Sequence, residues 1–552
     1  METTPLNSQT EPRASWMPLI VIILTQILMS FNVSTLQVSI EGIASSFNAS
    51  ATTVGTAIVT YSLVVAGFIM VGAKIAQLFG ARGVFRGMVV LFGGAMALMT
   101  FSFSWVTMIV AQVAAGAAAA ALVPTLVVLL ADNYRSNQQT KAVALLGAAQ
   151  AMATVLAFLI AGSLATLVGW RFTFGLLVVL AGCVYKLSEK LSPVRSHGSA
   201  GIDWVGAGLI ALAIYLISAG FNNLTKWGVL LAKPGAPFDM LDMSPAPVMI
   251  VCGIFLIQAF LFWSRKRQAA GGTPLISLEV LGTPQERAAL FSLFTISALT
   301  SAIAFLIPLY IQVIQGGTSL QTAVAMIPLS LMSVMAAILV VRLYGRVSPR
   351  RIARYAFLLT TVGVTLLGVV IRNDWSNTMV ILGMGLIGIG EGALVALLFN
   401  VLMSASPKER AGDVGSLRGT ANNLAAAVGT AVASALIVSV LSTSVHRDLA
   451  DNAFLPNELK RQVNLDEVSF MSNDQLRRTL ERTTATPEQV TEAVRLNTDA
   501  RLLALKVSFF ALAGLALLAY FPAGALPGPV RTEAPAGEPG RLPGTASAGA
   551  SA

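Results

Sequence analysis

The sequence predicts an all-α membrane protein with fourteen transmembrane helices. Its 552 residues are 55% hydrophobic and only 11% charged, which is too little charge for the surface of a soluble protein of this length. Long apolar runs recur from end to end, and runs of about 20 residues match a bilayer core of about 30 Å. Short polar connections separate the runs, so we expect the chain to cross the membrane many times.

The predicted elements fall into three groups with a tail at each end. Six spans form an N-terminal bundle at residues 17–190, two lie in an inserted segment at 191–287, and six form a C-terminal bundle at 288–525. Residues 1–16 are predicted as a cytosolic N-terminus and residues 526–552, rich in Pro, Gly and Ala, as a disordered cytosolic tail. The spans lie near residues 17–40, 53–78, 84–103, 106–130, 142–168, 170–187, 203–222, 246–264, 288–314, 320–343, 352–371, 378–404, 413–441 and 502–524.

Basic side chains are concentrated on one side of the predicted bundle. The connections assigned to that side carry eighteen Lys and Arg residues, whereas the short connections on the other side carry four. This asymmetry predicts a multi-pass protein of the cytoplasmic membrane with the basic side and both termini in the cytosol. The formal charge of +10 therefore reflects membrane topology and does not indicate nucleic-acid binding.

The residues that would carry enzyme or metal chemistry do not form a pattern. Cys183 and Cys252 fall inside predicted spans, and His197 and His446 fall in loops, so we expect no disulfide framework and no metal site. A phosphate-binding loop and a nucleophile triad are both absent from the sequence. We therefore expect no cofactor, no ATP-driven step and no enzymatic activity.

The two groups of six spans show weak internal similarity. Residues 147–153 in the fifth span can be laid over residues 419–425 in the thirteenth, and the basic turn at 79–86 has a counterpart at 344–351. Paired halves of this kind suit alternating access, in which two bundles rock about a central site. Shared Ala and Gly composition is the alternative explanation.

Residues 442–501 form a long polar insertion on the outer side, before the last span. Two capping boxes, Ser472–Gln475 and Thr486–Gln489, predict two or three short helices there, the second with a proline at its first position. The insertion can be a lid, a docking surface for a protein partner, or a solvated decoration. We expect a monomer.

Four local patterns are typical of one transporter family. They are Phe31–Glu41, the turn Ala73–Arg82, Gln112–Gly116 with Pro124 further on, and Gly169–Arg171. With the span count and the two inserted helices, they resemble the fourteen-helix drug:proton antiporter branch of the major facilitator superfamily from about residue 17 to 525. The resemblance implies the major facilitator fold, two six-helix bundles plus two inserted central helices, and secondary transport.

Four motif positions depart from that branch. It usually has aspartate at the positions of Asn32 and Gln77 and arginine at the position of Gln112. The antiporter motif of its fifth helix, a Gly-Pro followed by Gly-Gly, is replaced by Ala157–Gly162, with Phe158 at the proline position. The fold is still expected, but proton coupling does not follow from the resemblance alone.

Glu391 is the strongest candidate for a proton or substrate site. It lies near the middle of its span, in the glycine-rich segment Gly383–Gly392, and an ionisable group there costs about 2.5–3.5 kcal/mol on insertion scales. The resemblance places this helix along a central cavity. The alternative is a structural carboxyl group that is hydrogen-bonded across a helix interface.

Arg418 lies only about five residues into the thirteenth span, or about 8 Å deep. It can hold an inner gate, meet an anionic group of a substrate, or snorkel to the interface. A direct ion pair with Glu391, about 20 Å from its cytosolic end, is not expected. Asn422, one helical turn beyond Arg418, is assigned to the same gate.

The first span carries a polar stripe. Gln26, Ser30, Ser34, Gln37 and Glu41 are spaced by three or four residues, which places them on one helical face. Lipid would reject such a face, so it is predicted to line a polar cavity, with plain interhelical hydrogen bonding as the alternative.

Several further residues are assigned to the site because of where they lie in the predicted spans and in the family motifs. Asn32 lies off the stripe and is included from the resemblance, as is Gln112, which can hydrogen-bond without carrying a charge. Tyr61 and Gln150 are further cavity candidates. Three residues of the basic turn, Gly80, Arg82 and Arg86, are expected to support conformational switching. They would do so through contacts with helix ends and lipid phosphates.

Three functions remain open from the sequence. The first is secondary active efflux of lipophilic or cationic small molecules by proton antiport. The second is a facilitator or lipid transporter of the same fold without proton coupling, which the neutral motif positions favour. The third is a membrane partner or sensor that transports nothing and uses the outer insertion to bind a protein.

Overall fold

The computed structural model describes twelve segments of the chain, and the account below concerns these. They are residues 15–134, 155–191, 201–228, 231–233, 235–238, 242–276, 281–343, 346–372, 378–405, 411–451, 473–481 and 486–528.

The described residues are almost entirely helical, which confirms the predicted all-α class. Extended structure within these segments is limited to isolated bridge residues, among them the pair Leu231 and Met243. The helices, in chain order, are α1 Met17–Val38, α2 Ile40–Phe47, α3 Ala51–Phe79, α4 Ala81–Thr100, α5 Trp105–Asn133, α6 Val155–Leu167, α7 Trp170–Leu187, α8 Trp204–Trp227, α9 Pro245–Ala269, α10 Pro284–Leu309, α11 Ser319–Leu343, α12 Pro349–Val370, α13 Thr378–Ala405, α14 Ala411–Asp451, α15 Asn473–Leu480 and α16 Pro487–Ala519.

Thirteen of these helices are long and apolar enough to cross a membrane. The shorter helix α6 is the described part of the fifth predicted span, whose first residues lie outside the described segments. With α6, the described segments contain a helix for each of the fourteen predicted spans.

Local sequence sets where the helices begin and end. The capping boxes of Ser104 with Thr107 and of Thr283 with Glu286 satisfy free backbone amides at the starts of α5 and α10. Gly80 ends α3 with φ of +85° and allows α4 to begin at the next residue, a backbone geometry that glycine adopts at little cost.

The helices pack as two bundles with a pair of helices beside them. Helices α1, α3, α4, α5 and α7 pack on one another, as do α10 to α14 with α16. Between the bundles, α14 packs along α3, and α1 contacts both α10 and α11. The inserted helices α8 and α9 pack together, and α8 also contacts α3 and α14. The inserted pair therefore covers the seam between the two bundles on that flank.

The two ends of the bundle are named here by their connections. Residues 80–81, 188–191 and 270–275 lie at the end rich in Lys and Arg, called the basic face. Residues 39–50, 101–104 and 315–318 lie at the other end, called the opposite face. Contacts such as Arg82 to Glu189 and Gln312 to Glu41 confirm this grouping.

The structure corrects the prediction around the outer insertion. The capping box of Thr486 and Gln489 is confirmed, but the helix it starts runs unbroken from Pro487 to Ala519 instead of ending before a span near 502. No helix breaker separates the polar and apolar parts, and Arg495 pairs with Glu492 and Asp499 along the same helix. Helix α14 likewise continues to Asp451. The predicted box at Ser472 begins outside the described residues.

The start of the predicted disordered tail is ordered. Leu526 is buried, and the amide of Arg350 donates to the carbonyl of Pro527. These contacts hold residues 526–528 against the N-terminus of α12, and the tail from residue 529 onward lies outside the described residues.

A buried carboxylate joins the two inserted helices. Asp203 caps α8 by accepting from the amide of Gly206 at 3.0 Å, and it accepts from Trp263 Nε1 in α9 at 3.0 Å. Arg267, also in α9, lies 3.5 Å from the same carboxylate. One side chain therefore satisfies the start of α8 and two donors of α9.

We expect Asp203→Ala to lower the free energy of unfolding by about 1–3 kcal/mol, because it removes a helix cap and leaves buried donors without an acceptor. Thermal unfolding in detergent, followed by tryptophan fluorescence, measures the change. Asp203→Asn keeps the cap and should recover part of the loss. An unchanged melting temperature for Asp203→Ala would contradict this role.

Candidate functional site

Glu391 lies in α13 where that helix is pressed between two neighbours. A Cβ at Gly392 would overlap the backbone of Ser333 in α11, and one at Gly390 would overlap Thr360 in α12. Only glycine allows such close helix approach. Glu391 itself is half-buried, and Ser333 donates a side-chain hydrogen bond to its carboxylate. The carboxylate is thus held at the α11–α13 contact without being sealed there.

Two of the neutral motif positions contact each other. The side chains of Asn32 in α1 and Gln112 in α5 are both completely buried. Asn32 Nδ2 donates to Gln112 Oε1 at 2.9 Å, and Gln112 Nε2 donates back to Asn32 Oδ1 at 3.3 Å. A reciprocal amide pair therefore stands where the resembling branch has an aspartate and an arginine.

The polar stripe of the first span faces protein. Ser34 and Gln37 are buried, and Gln26 donates to Ser30 one turn along the same helix at 3.3 Å. Gln26, Ser30 and Glu41 are half-buried. The interpretation as a cavity wall stays a prediction, because no contact of these side chains identifies a water-filled path.

Arg418 stacks on an aromatic ring. Its guanidinium lies 4.2 Å from the ring centre of Phe399 in α13, a cation–π contact. Phe399 is eight residues from Glu391, or about 12 Å along the helix axis. Arg418 is half-buried, and its stacking position agrees with the expectation that it forms no ion pair with Glu391.

The remaining gate candidate of α14 joins two helices of the same bundle. Ser297 in α10 donates to Asn422 Oδ1 at 2.9 Å. Asn422 is otherwise exposed. Its described contact therefore lies within the C-terminal bundle and does not link the two halves.

The basic turn anchors the end of the N-terminal bundle. Arg82 donates to the carbonyl of Glu189 at 2.7 Å, in the 3-10 turn after α7, and Arg86 stacks over Tyr185 at 4.6 Å. The expected contact with a helix end is present. Gly80 permits it by ending α3 one residue before α4.

The C-terminal bundle repeats this anchor. Arg350 donates to the carbonyl of Leu526 at 3.3 Å, and Arg354 lies over Tyr520 at 5.1 Å. Arg82 and Arg350 are both the second residue of their helices, and each is followed four residues later by the stacking arginine. The repeat predicted at 344–351 is therefore better aligned on Arg350 than on the first residues of that turn.

The other two cavity candidates stay predictions. Tyr61 is buried in α3, where Gly116 of α5 approaches its backbone carbonyl. Gln150 lies outside the described residues.

Sequence reasoning missed a polar cluster at the opposite face. Gln312 lies in a π-helical turn, Tyr310–Ile314, at the end of α10. It accepts from the amide of Glu41 at 3.0 Å and donates to the carbonyl of Gln37 at 3.3 Å. Arg501 of α16 is completely buried beside it and donates to the carbonyl of Val313 at 3.3 Å. The sequence signal for Arg501 was a lone charge at the edge of an apolar run.

Comparison with known proteins identifies the family. The family model for the Major Facilitator Superfamily matches residues 22–430. A protein of Streptomyces coelicolor described as a probable actinorhodin transporter is 22% identical over 79% of this chain and 75% of its own length. The lincomycin resistance protein of Streptomyces lincolnensis is 25% identical over 78% of this chain and 86% of its own length.

A solved structure has the same fold. The bacterial homologue of the human lysosomal transporter Spinster, in an inward-facing and occupied conformation, superposes with a TM-score of 0.57 at 14% identity. The match covers 92% of this chain and 95% of that one.

The amide pair predicts a non-additive mutational response. Asn32→Asp alone places an unpaired charge in a buried site and should destabilise the protein by about 3 kcal/mol. Asn32→Asp with Gln112→Arg supplies the opposite charge and should recover most of that loss. A double-mutant cycle of thermal stability in detergent measures the coupling. Equal stability of the single variant and the parent would show that the pair is not sealed from water.

Proposed function

Because the chain belongs to the Major Facilitator Superfamily, we propose that it is a secondary active exporter of lipophilic or cationic small molecules. It is a multi-pass membrane protein and not an enzyme. We further propose that export proceeds by proton antiport with alternating access of the two bundles. The two Streptomyces relatives, described as a probable actinorhodin transporter and a lincomycin resistance protein, support a small-molecule cargo.

The position of the Glu391 carboxylate is the observation that most directly supports this function. A half-buried carboxylate in the middle of an apolar helix, hydrogen-bonded by Ser333, is costly unless it has a task. Such a group can hold a proton or a cationic cargo, but not both at once. Competition between the two on one carboxylate is sufficient to couple inward proton movement to outward cargo movement.

The orientation completes the proposal. The basic face, with both termini, lies in the cytosol, as the distribution of Lys and Arg indicates. Cargo then enters from the cytosolic side or the inner leaflet and leaves at the opposite face. The membrane is the cytoplasmic membrane.

A second candidate is transport without proton coupling. The buried pair of Asn32 and Gln112 has no group that titrates in the physiological range, at positions where the resembling branch carries charges. A facilitator or a lipid transporter of the same fold fits this neutral pair. The two candidates differ in their response to a pH gradient.

Glu391→Gln should abolish gradient-driven efflux while leaving binding of a neutral cargo intact, because glutamine keeps the shape of the side chain but cannot exchange a proton. We expect a loss of at least about a hundredfold in the initial rate, the low end of what a residue with a proton-transfer role contributes. Transport is measured in proteoliposomes with and without an imposed pH gradient, using a cargo identified by a resistance screen in a drug-sensitive host.

Glu488→Gln, which removes a carboxylate from the exposed start of α16, is the matched control and should transport as the parent does. If the parent moves cargo equally with and without the gradient, antiport is excluded and the facilitator remains. If neither the parent nor the Glu488→Gln control moves any cargo in the screen, both the antiporter and the facilitator proposals fail.

A further inference from the structure

Four polar residues from four elements meet at the opposite face. They are Glu41 of α2, Gln312 at the π-helical end of α10, Asn473 of α15 and Arg501 of α16. Glu41 belongs to the N-terminal bundle, and the other three belong to the C-terminal half. The cluster therefore lies where the two halves must separate if cargo is to leave on this side.

The buried guanidinium of Arg501 depends on partners from both halves. Its side chain has no exposed surface. Nη1 donates to the carbonyl of Val313 and Nη2 donates to Asn473 Oδ1. The carboxylate of Glu41 supplies the opposite charge across the seam. Burying an uncompensated charge costs several kcal/mol, so loss of the Glu41 carboxylate would leave the buried charge of Arg501 less well compensated.

Gln312 ties the end of α1 and the start of α2 by neutral hydrogen bonds. Its Oε1 accepts from the amide of Glu41, and its Nε2 donates to the carbonyl of Gln37 and to Thr322 Oγ1 of α11 at 3.1 Å. The π-helical turn in which it lies breaks the regular hydrogen-bond ladder at this point, a geometry often found at functional sites.

From this arrangement we infer that Glu41 and Arg501 form an ionic latch, supported by Gln312 and Asn473, that holds the opposite face closed. The inference rests on the proposed function, since a latch has a task only in a protein that opens there. Arg501 is a positioning residue and does not touch cargo. A second contact closes the same face nearby, where the amide of Leu320 in α11 donates to Thr166 Oγ1 in α6 at 3.0 Å.

The latch also gives part of the outer insertion a task. Asn473 orients the guanidinium, and its own side chain is held by Thr498 of α16, at 3.1 Å from Nδ2. Helix α15 thus acts as a brace for Arg501. A solvated decoration would have no reason to place a polar side chain on a buried charge.

The latch is tested by a distance between the two halves, measured without any cargo. Spin labels are attached at Ser45→Cys in α2 and Leu320→Cys in α11, both exposed, in a background with Cys183→Ser and Cys252→Ser. Electron–electron double resonance in nanodiscs then reports the populations of closed and open opposite faces. Arg501→Gln and Glu41→Gln should each raise the open population at least about tenfold.

Three further variants separate a latch from a general structural role. Exchange of the two charges, Glu41→Arg with Arg501→Glu, should return part of the closed population, because it restores the opposite charges but a carboxylate at position 501 cannot donate to the carbonyl of Val313. Arg501→Lys, which keeps the positive charge, should also return part of it. Arg495→Gln is the matched control, because Arg495 is exposed and forms ion pairs with Glu492 and Asp499 of its own helix. It should leave both populations unchanged.

The outcomes distinguish the latch from the transport proposal. If folded Arg501→Gln keeps the distances of the parent, the latch is overturned even where gradient-driven efflux is intact. If Arg501→Gln does not fold, the open population of Glu41→Gln decides whether the latch exists. Glu41 is half-buried, and its substitution leaves the other partners of Arg501 in place. If no cargo is ever transported but the populations shift as expected and return on charge exchange, the latch stands and the proposed function fails.

Discussion

The bilayer core offers no water to satisfy a polar group, so a polar side chain between the helices is stabilised by a partner within the protein. This constraint accounts for the interior of the molecule. Asn32 pairs with Gln112, Ser333 hydrogen-bonds Glu391, and Arg501 gathers partners from three other elements. Close helix packing at glycines brings Glu391 within reach of its partner, since a larger residue at Gly392 would hold α11 away.

The fold was predictable because its signal is local. A run of about 20 apolar residues is sufficient to identify a span, and Thr486 with Gln489 is sufficient to identify a helix start. Pairings between distant segments carry no such signal. Asn32 and Gln112 are 80 positions apart, and only the resemblance to a family placed both in one site. Arg501 was assigned to a polar loop because the helix that carries it changes from polar to apolar without a break.

The internal repeat is clearer in the side-chain contacts than in the amino-acid sequence. Arg82 with Arg86 and Arg350 with Arg354 have the same spacing and the same task, the first of each pair binding a carbonyl and the second stacking on tyrosine. The flanking residues differ, so a comparison of sequence alone aligns the second turn a few residues too early. Each bundle is thereby closed at the basic face by its own last helix.

The inserted helices α8 and α9 cover one flank of the seam, where α8 lies across α3 and α14. A hydrophobic molecule dissolved in the surrounding lipid meets that pair before it meets the seam between the two bundles. The buried carboxylate of Asp203 holds the two inserted helices together. Diffusion from the membrane into the space between the bundles is therefore blocked on this flank. In the exporter proposed above, sideways admission of cargo would then fall to the other flank, where the described part of α6 meets α11.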